Sequence, residues 1–318
     1  MHEILCFLAR AAIASLAPEP KGRLRDNDVC VFRVGCVRGM TRANDPAILI
    51  HGAWQGSGVW DRLIPLLARS AGIVPVAVDL PGNGKDGVKP ADVSLDMYVD
   101  HVGGVLKRLG RRASLVAHSG GGVVASAVAE RFPERISRIA YVAGMMLPSG
   151  MAFADLVTEA RRDHPDAAGV GPHLIWSHDR LTSRVPIQVA LAYFFHDCPT
   201  AEAALAAQQL TPQPDRGRAV RAKLTPKRFG RIPRLYVEAE ADRAVIPPLQ
   251  RRMQALVPGA DVVTLPTGHA PHLAAPRLLA DVLTPFLTGS EDGPAFATRD
   301  LEHADTASGS HQRGRGRK

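Results

Sequence analysis

The segment Leu115-Val116-Ala117-His118-Ser119-Gly120-Gly121-Gly122 sets a serine between an apolar run and a cluster of glycines. A serine hydroxyl is a weak nucleophile. It becomes a strong one when a base lies beside it and amide N–H groups stand ready for the charge that develops on an attacked carbonyl oxygen. A strand running into Ser and then into a helix makes a turn tight enough to lift the hydroxyl out of the sheet, provided the positions two before and two after it are small. Ala117 and Gly121 occupy those positions, and Ala where Gly is usual is a mild departure. The pattern predicts Ser119 as nucleophile and the Gly120 N–H as an oxyanion donor, with the N-terminal end of a helix over Gly121–Arg131 adding positive potential. The competing reading is a glycine-rich strand–helix turn with an incidental serine, and the correct context on both sides argues against it.

A second donor belongs after an earlier strand. Ile48-Leu49-Ile50-His51-Gly52-Ala53-Trp54 has that place, with Gly52 allowing close approach and the Ala53 N–H as donor. The hydroxyl also needs a base, and the base an orienting carboxylate, in the chain order Ser, acid, His. Asp242 follows the apolar Leu235-Tyr236-Val237 and is the expected acid; Glu238 and Glu240 are rivals closer to the strand. His269, in Thr267-Gly268-His269 after Val262-Val263-Thr264-Leu265, is the expected base, and His272 is its rival. His51 and His118 read as structural. Metal hydrolysis lacks an HxH or HExxH ligand spacing, and a dinucleotide enzyme would need GxGxxG after the first strand. The ligand spacing is absent, and His118-Ser119-Gly120-Gly121-Gly122 is not the glycine motif and lies too late in the chain for it.

These residues need a scaffold. Short apolar runs at 47–50, 73–78, 114–117, 136–142, 234–237 and 262–265 alternate with stretches of helical periodicity at 60–68, 95–109 (behind Ser94 as N-cap), 121–131, 249–256 and 277–287. Apolar runs without alternation suit strands buried on both faces, and strands alternating with helices imply a parallel sheet with crossovers. The expected class is α/β, a mostly parallel sheet with helices on both faces. Residues 148–232 break the rhythm. They are rich in Pro, His and Arg, carry helix-like pieces at 152–162 and 201–210, and read as an inserted lid.

Composition bounds the rest. With 46% apolar and 22% charged residues in 318, the chain can bury a sizeable core. The net charge is +8, and Arg216 to Arg234 holds Arg218, Arg221, Lys223, Lys227, Arg228 and Arg231 without an acid. No nucleic-acid motif accompanies this stretch, so it reads as solvated surface and no nucleic-acid partner is expected. Cys6, Cys30, Cys36 and Cys198 form no CxxC pair, no segment reaches the ~18 apolar residues of a membrane span, and His2 and Glu3 precede the apolar N-terminal run where a signal peptide has positive charge. A reducing cytoplasm is the expected location. Residues 1–39 read as a disordered extension or a mispredicted start outside the 40–289 domain, with Val29–Val37 alternatively an extra edge strand. Residues 290–318 read as a disordered polar tail.

The chain resembles the α/β-hydrolase family of plant methyl-ester esterases and hydroxynitrile lyases with their bacterial carboxylesterase relatives. The resemblance rests on Ile48–Trp54, Val116–Gly121, Phe194-Phe195-His196-Asp197-Cys198, Tyr236–Arg243, and Gly268-His269 with Pro276. It implies the α/β-hydrolase fold, a cap over Ser119 formed by about 148–232, and a largely apolar pocket between them with Trp54, Trp176, Phe194 and Phe195 as candidates to line it. It implies hydrolysis of a small carboxylic ester through an acyl-enzyme, without cofactor or metal. A lyase or carbon–carbon bond hydrolase on the same triad, and a binding protein that turns over little, stay open. In the lyases a Lys follows the catalytic His, and here Ala270 and Pro271 follow His269.

Overall fold

A computed structural model describes residues 33–34, 45–69, 73–83 and 86–289. The expectations for 1–39 and 290–318 therefore lie outside the described residues, except at Arg33–Val34. Six parallel strands form the centre: β2 (Ala47–Ile50), β3 (Pro75–Val78), β4 (Ala113–His118), β5 (Ile136–Val142), β9 (Arg234–Ala239) and β10 (Ala260–Leu265). Their order is β3-β2-β4-β5-β9-β10, and the two-residue β1 (Arg33–Val34) pairs antiparallel with β3 at the edge. β1 falls within the Val29–Val37 stretch. Insertion strands β6 (Ile175–Trp176), β7 (Thr182–Arg184) and β8 (Gln213–Pro214) form a separate antiparallel sheet.

Strands β2, β3, β4 and β9 are buried along their whole length, which explains their apolar runs, whereas edge strand β10 is largely exposed. Ile48, Ile50, Leu115 and Ala117 pack to one side, and Ala47, Leu49 and Val116 to the other. The first side is covered by helices Leu95–Leu109, Gly121–Arg131 and Pro247–Leu256, the second by Ile64–Arg69 and Pro276–Thr288. Leu95–Leu109 starts where expected, with the Ser94 hydroxyl accepting the Met97 N–H, and stops at Gly110, whose φ of 66° suits glycine. Among the described residues no helix is long and apolar enough to cross a membrane.

Residues 143–233 add no strand to the central sheet. Their helices include Phe153–Ala160, Ile187–Tyr193 and Thr200–Gln208. The first and third match the helix-like pieces seen in the sequence; the second and the small sheet were not anticipated. The Arg-rich stretch is knitted into the fold by ion pairs, with Arg218 on Asp215, Arg221 on Asp155, Arg228 on Glu130 and Arg231 on Glu134.

Candidate active site

Parallel register brings the carboxyl ends of the strands to one edge, where ligands of open α/β sheets bind. Ile50 lies opposite Ala117 and Ala239 opposite Leu265. The loops after β2, β4, β9 and β10 therefore carry Ala53, Ser119, Asp242 and His269 to the same side of the sheet.

Ser119 is held in the left-handed region, with φ of 50°, and is 7% exposed. For a non-glycine residue this conformation is strained, and it persists because neighbours over-determine it. The Ser119 N–H donates to the Val142 carbonyl, while its own carbonyl accepts from Gly122 N at 3.0 Å and Met145 N at 2.8 Å. The turn closes against β2. A Cβ on Gly121 would lie 2.5 Å from the His51 carbonyl oxygen, and one on Gly52 would lie 2.9 Å from the Ser119 Cβ. Both positions admit only glycine without displacement of backbone or of Ser119. The Ala53 nitrogen lies 3.8 Å from where a Gly120 Cβ would stand. Among the described residues neither the Ala53 nor the Gly120 N–H has a protein acceptor, the condition an oxyanion donor requires.

His269 is buried, and its Nδ1 lies 2.7 Å from Asp242 Oδ2. A carboxylate can only accept, so Nδ1 carries a proton, and in the neutral imidazole Nε2 holds the lone pair. Asp242 is fixed in turn: Oδ1 accepts the N–H groups of Ala244 (2.7 Å) and Val245 (2.9 Å), and Gln250 Nε2 approaches Oδ2 at 3.4 Å. The rivals are placed otherwise. Glu238 is bound by Arg251 and Gln254, and Glu240 points to solvent. His272 is buried with Nδ1 unpartnered, beside Trp60 and His118. Burial, then the neighbouring His269, pushes its pKa down to about 3.

The other two histidines are structural in their contacts. His51 Nδ1 donates to the Gly52 carbonyl and its Nε2 accepts the Leu80 N–H. His118 Nε2 lies 2.8 Å from the His269 carbonyl oxygen and Nδ1 2.9 Å from Gln55 Oε1. Burial, and after it the neighbouring His272 and His269, hold His118 well below the ordinary histidine range.

Ser119, Gly120, Ala53 and His269 open onto a cavity of about 620 Å³. Its wall is mainly apolar, with Leu80, Val123 and Val124 from the sheet side and Phe153, Val157 and Val170 from the insertion. Of the four aromatic candidates, Trp54 and Phe194 line it. Phe195 and Trp176 do not: Phe195 is buried behind Phe194, edge to face at 5.9 Å, and Trp176 lies under the guanidinium groups of Arg180 and Arg218. An aromatic residue in an inserted segment is as useful to that segment's own packing as to a pocket, and type alone does not separate the two. Among the described residues no cluster of His, Cys, Asp or Glu is arranged to hold a metal.

Two groups of polar contacts escaped the sequence reading. Asp197 Oδ2 accepts the Gly268 N–H at 2.5 Å, tying the insertion to the loop of His269. Asp197 lies in the Phe194–Cys198 stretch, so a signal was present without its role. Asn83, Tyr98 and Gln213 form a second buried group at the cavity wall. Burial raises the Tyr98 pKa to about 12. An isolated Gln between prolines carries no signal of this kind.

A family model described as Alpha/beta hydrolase family matches residues 47–282. Pyrethroid hydrolase of Sphingobium wenxiniae (strain DSM 21828 / CGMCC 1.7748 / JZ-1) is 30% identical over 266 residues, 79% of this chain and 91% of that protein. Esterase PIR7B of Oryza sativa subsp. japonica is 28% identical over 251 residues, 74% of this chain and 93% of the rice protein. Among solved structures, a pyrethroid hydrolase from Sphingobium faniae JZ-2 superposes with a TM-score of 0.68 at 27% identity, covering 76% of this chain and 97% of that one.

Proposed function

This chain belongs to the alpha/beta hydrolase family, and we propose that it is a serine carboxylesterase acting on esters with an apolar body. The observation that carries this reading is the shared cavity: strained Ser119 and the Asp242-bound His269 face it together. In the proposed reaction His269 Nε2 takes the Ser119 proton while Oγ attacks the ester carbonyl carbon. The N–H groups of Ala53 and Gly120 receive the oxyanion. His269 returns the proton to the departing alcohol, leaving an acyl-enzyme. Water, deprotonated by His269, then attacks the acyl carbonyl, and the acid leaves as Ser119 regains its proton. No step calls on a cofactor or metal.

The substrate class rests on the mainly apolar wall and on the volume, which suits a drug-sized molecule. Relatives named as a pyrethroid hydrolase and as esterases support carboxylic-ester hydrolysis. The insertion supplies one wall and acts in this reading as the cap. Hydroxynitrile cleavage gains no support, because fully buried Ala270 and then Pro271 follow His269 where a cation would assist departing cyanide.

The test pairs labelling by a fluorophosphonate probe with turnover of p-nitrophenyl esters. The expected result is stoichiometric labelling and steady turnover, both lost in Ser119→Ala. Turnover that survives in Ser119→Ala, or wild-type protein that neither labels nor turns over, would overturn the proposal.

A further inference from the structure

The loop that carries Ala53 is held from the insertion as well as from the sheet. Trp54, the next residue, has φ of 62°. A bulky side chain in the left-handed region is strained, so its surroundings must impose it. All three polar groups of Trp54 meet the insertion. Its N–H donates to Gln213 Oε1 at 3.0 Å, its carbonyl accepts the Thr211 N–H at 2.8 Å, and its indole N–H donates to Ser183 Oγ at 3.2 Å.

Gln213 is the centre of this arrangement. It is 2% exposed, and backbone partners fix which way its amide points. Oε1 must face the Trp54 N–H, and Nε2 donates to the Pro214 carbonyl at 3.1 Å. Asn83 Nδ2 then also donates to Oε1 at 2.6 Å, Tyr98 OH donates to Asn83 Oδ1 at 3.2 Å, and Gln213 Nε2 reaches Tyr98 OH at 3.5 Å. Every polar atom of the glutamine has a partner, and such a closed buried network is rigid. The bond to the Trp54 N–H fixes the peptide plane that follows Ala53 and so anchors that residue from one side, while the Gly52 carbonyl, which shares a plane with the Ala53 N–H, is held by His51 Nδ1 and the Gln55 N–H on the other.

We propose that Gln213 is a positioning residue for the oxyanion hole: by accepting the Trp54 N–H it holds the Ala53 donor in place from its C-terminal side. The inserted segment thereby completes the site as well as covering it. This rests on the esterase reading and on Ala53 as donor. A donor aimed wrongly fails the transition state more than the ground state, because the charge it serves exists only there. A displacement near 1 Å suffices for a loss of order 10²-fold.

The experiment uses the full chain with Gln213→Met, which keeps the length, and Gln213→Ala, which admits water. Steady-state kinetics on a p-nitrophenyl ester are read beside inhibition by a phenylboronic acid, whose serine adduct places an oxygen in the oxyanion hole. The expected result is a fall of about 10- to 100-fold in kcat, a comparable loss of boronate affinity, and KM within about threefold. A purely structural residue would lower Tm without separating these constants. Wild-type kcat and boronate affinity in a folded variant would overturn the inference while leaving the esterase reading intact. Insolubility of both variants would assign Gln213 to folding and equally overturn it. Wild-type protein without Ser119-dependent turnover would instead remove the reading on which it rests.

Discussion

His118 Nε2 lies 2.8 Å from the main-chain carbonyl oxygen of His269, so the residue before the candidate nucleophile is bound to the backbone of the candidate base. The carbonyl only accepts, hence Nε2 carries the proton. The ring centroids of the two histidines are 4.7 Å apart, and His272 lies 4.5 Å from His118 on another side. Burial and the neighbouring imidazoles leave His118 and His272 little tolerance for positive charge.

Acid should therefore destabilise the fold. The ordinary histidine value is 6.5, and His272 is depressed to about 3 with His118 also well below the ordinary range. The neutral form is favoured in the folded state, so this stability is fully present above pH 6.5 and is lost as pH falls from there toward 3. His272 removes about 1.4 kcal/mol per pH unit over that window, and His118 acts in the same direction. Urea midpoints measured between pH 8 and 4 should decline below about 6.5, and His272→Phe should flatten the decline. An unchanged midpoint down to pH 4.5 would contradict it.

Ser119→Gly should stabilise the protein while abolishing turnover. With φ at 50°, the serine occupies a conformation that glycine adopts freely. A gain of about 1 kcal/mol is expected, against a loss of at least ~10³-fold in kcat. Thermal unfolding of Ser119→Gly beside Ser119→Ala isolates the backbone term. Equal melting temperatures would show that the turn stores no strain.

Asp242→Asn should preserve the fold and lower kcat by about 10³- to 10⁴-fold. Asn can still offer an oxygen to the N–H groups of Ala244 and Val245. Its amide then faces His269 Nδ1 and selects the tautomer whose proton sits on Nε2, where the base must be free. A loss under tenfold would mean that Asp242 does not orient His269. His269→Ala should be equally severe, whereas His272→Ala should be felt mainly in stability; a reversal would exchange their roles.

Mandelonitrile should release no cyanide above background, while aryl esters are hydrolysed. Ala270 is fully buried, and no cation directly follows His269. Cyanide release at a rate near that of ester turnover, followed with a cyanide electrode, would count against the esterase assignment.

The sheet was legible because strands buried on both faces leave uninterrupted apolar runs, and because Ser94 and Gly110 punctuate a helix by known chemistry. The strand–Ser–glycine turn was legible for a related reason: Gly121 stands where a Cβ would strike the His51 carbonyl, a constraint that shows directly in residue type. The insertion was less so. Its elements are short, and Ile187–Tyr193 packs against Thr200–Gln208 rather than showing a clear period of its own. Trp176 and Phe195 could be named as aromatic but not placed. The contacts of Gln213 to Trp54 and of Asp197 to Gly268 join positions 159 and 71 residues apart, and no local pattern encodes such distant partners.

Those two contacts also bear on how this enzyme type can be re-engineered. The loops bearing Ser119, Asp242 and His269 hang from strand ends, so the segment between β5 and β9 could in principle be lengthened or exchanged without moving them. Here the exchange carries a condition. A transplanted segment must bring an acceptor for the Trp54 N–H and another for the Gly268 N–H, at the places Gln213 and Asp197 now hold. A chimera chosen only for the shape of its new pocket would lack both anchors and would bind its intended ester better than it cleaves it.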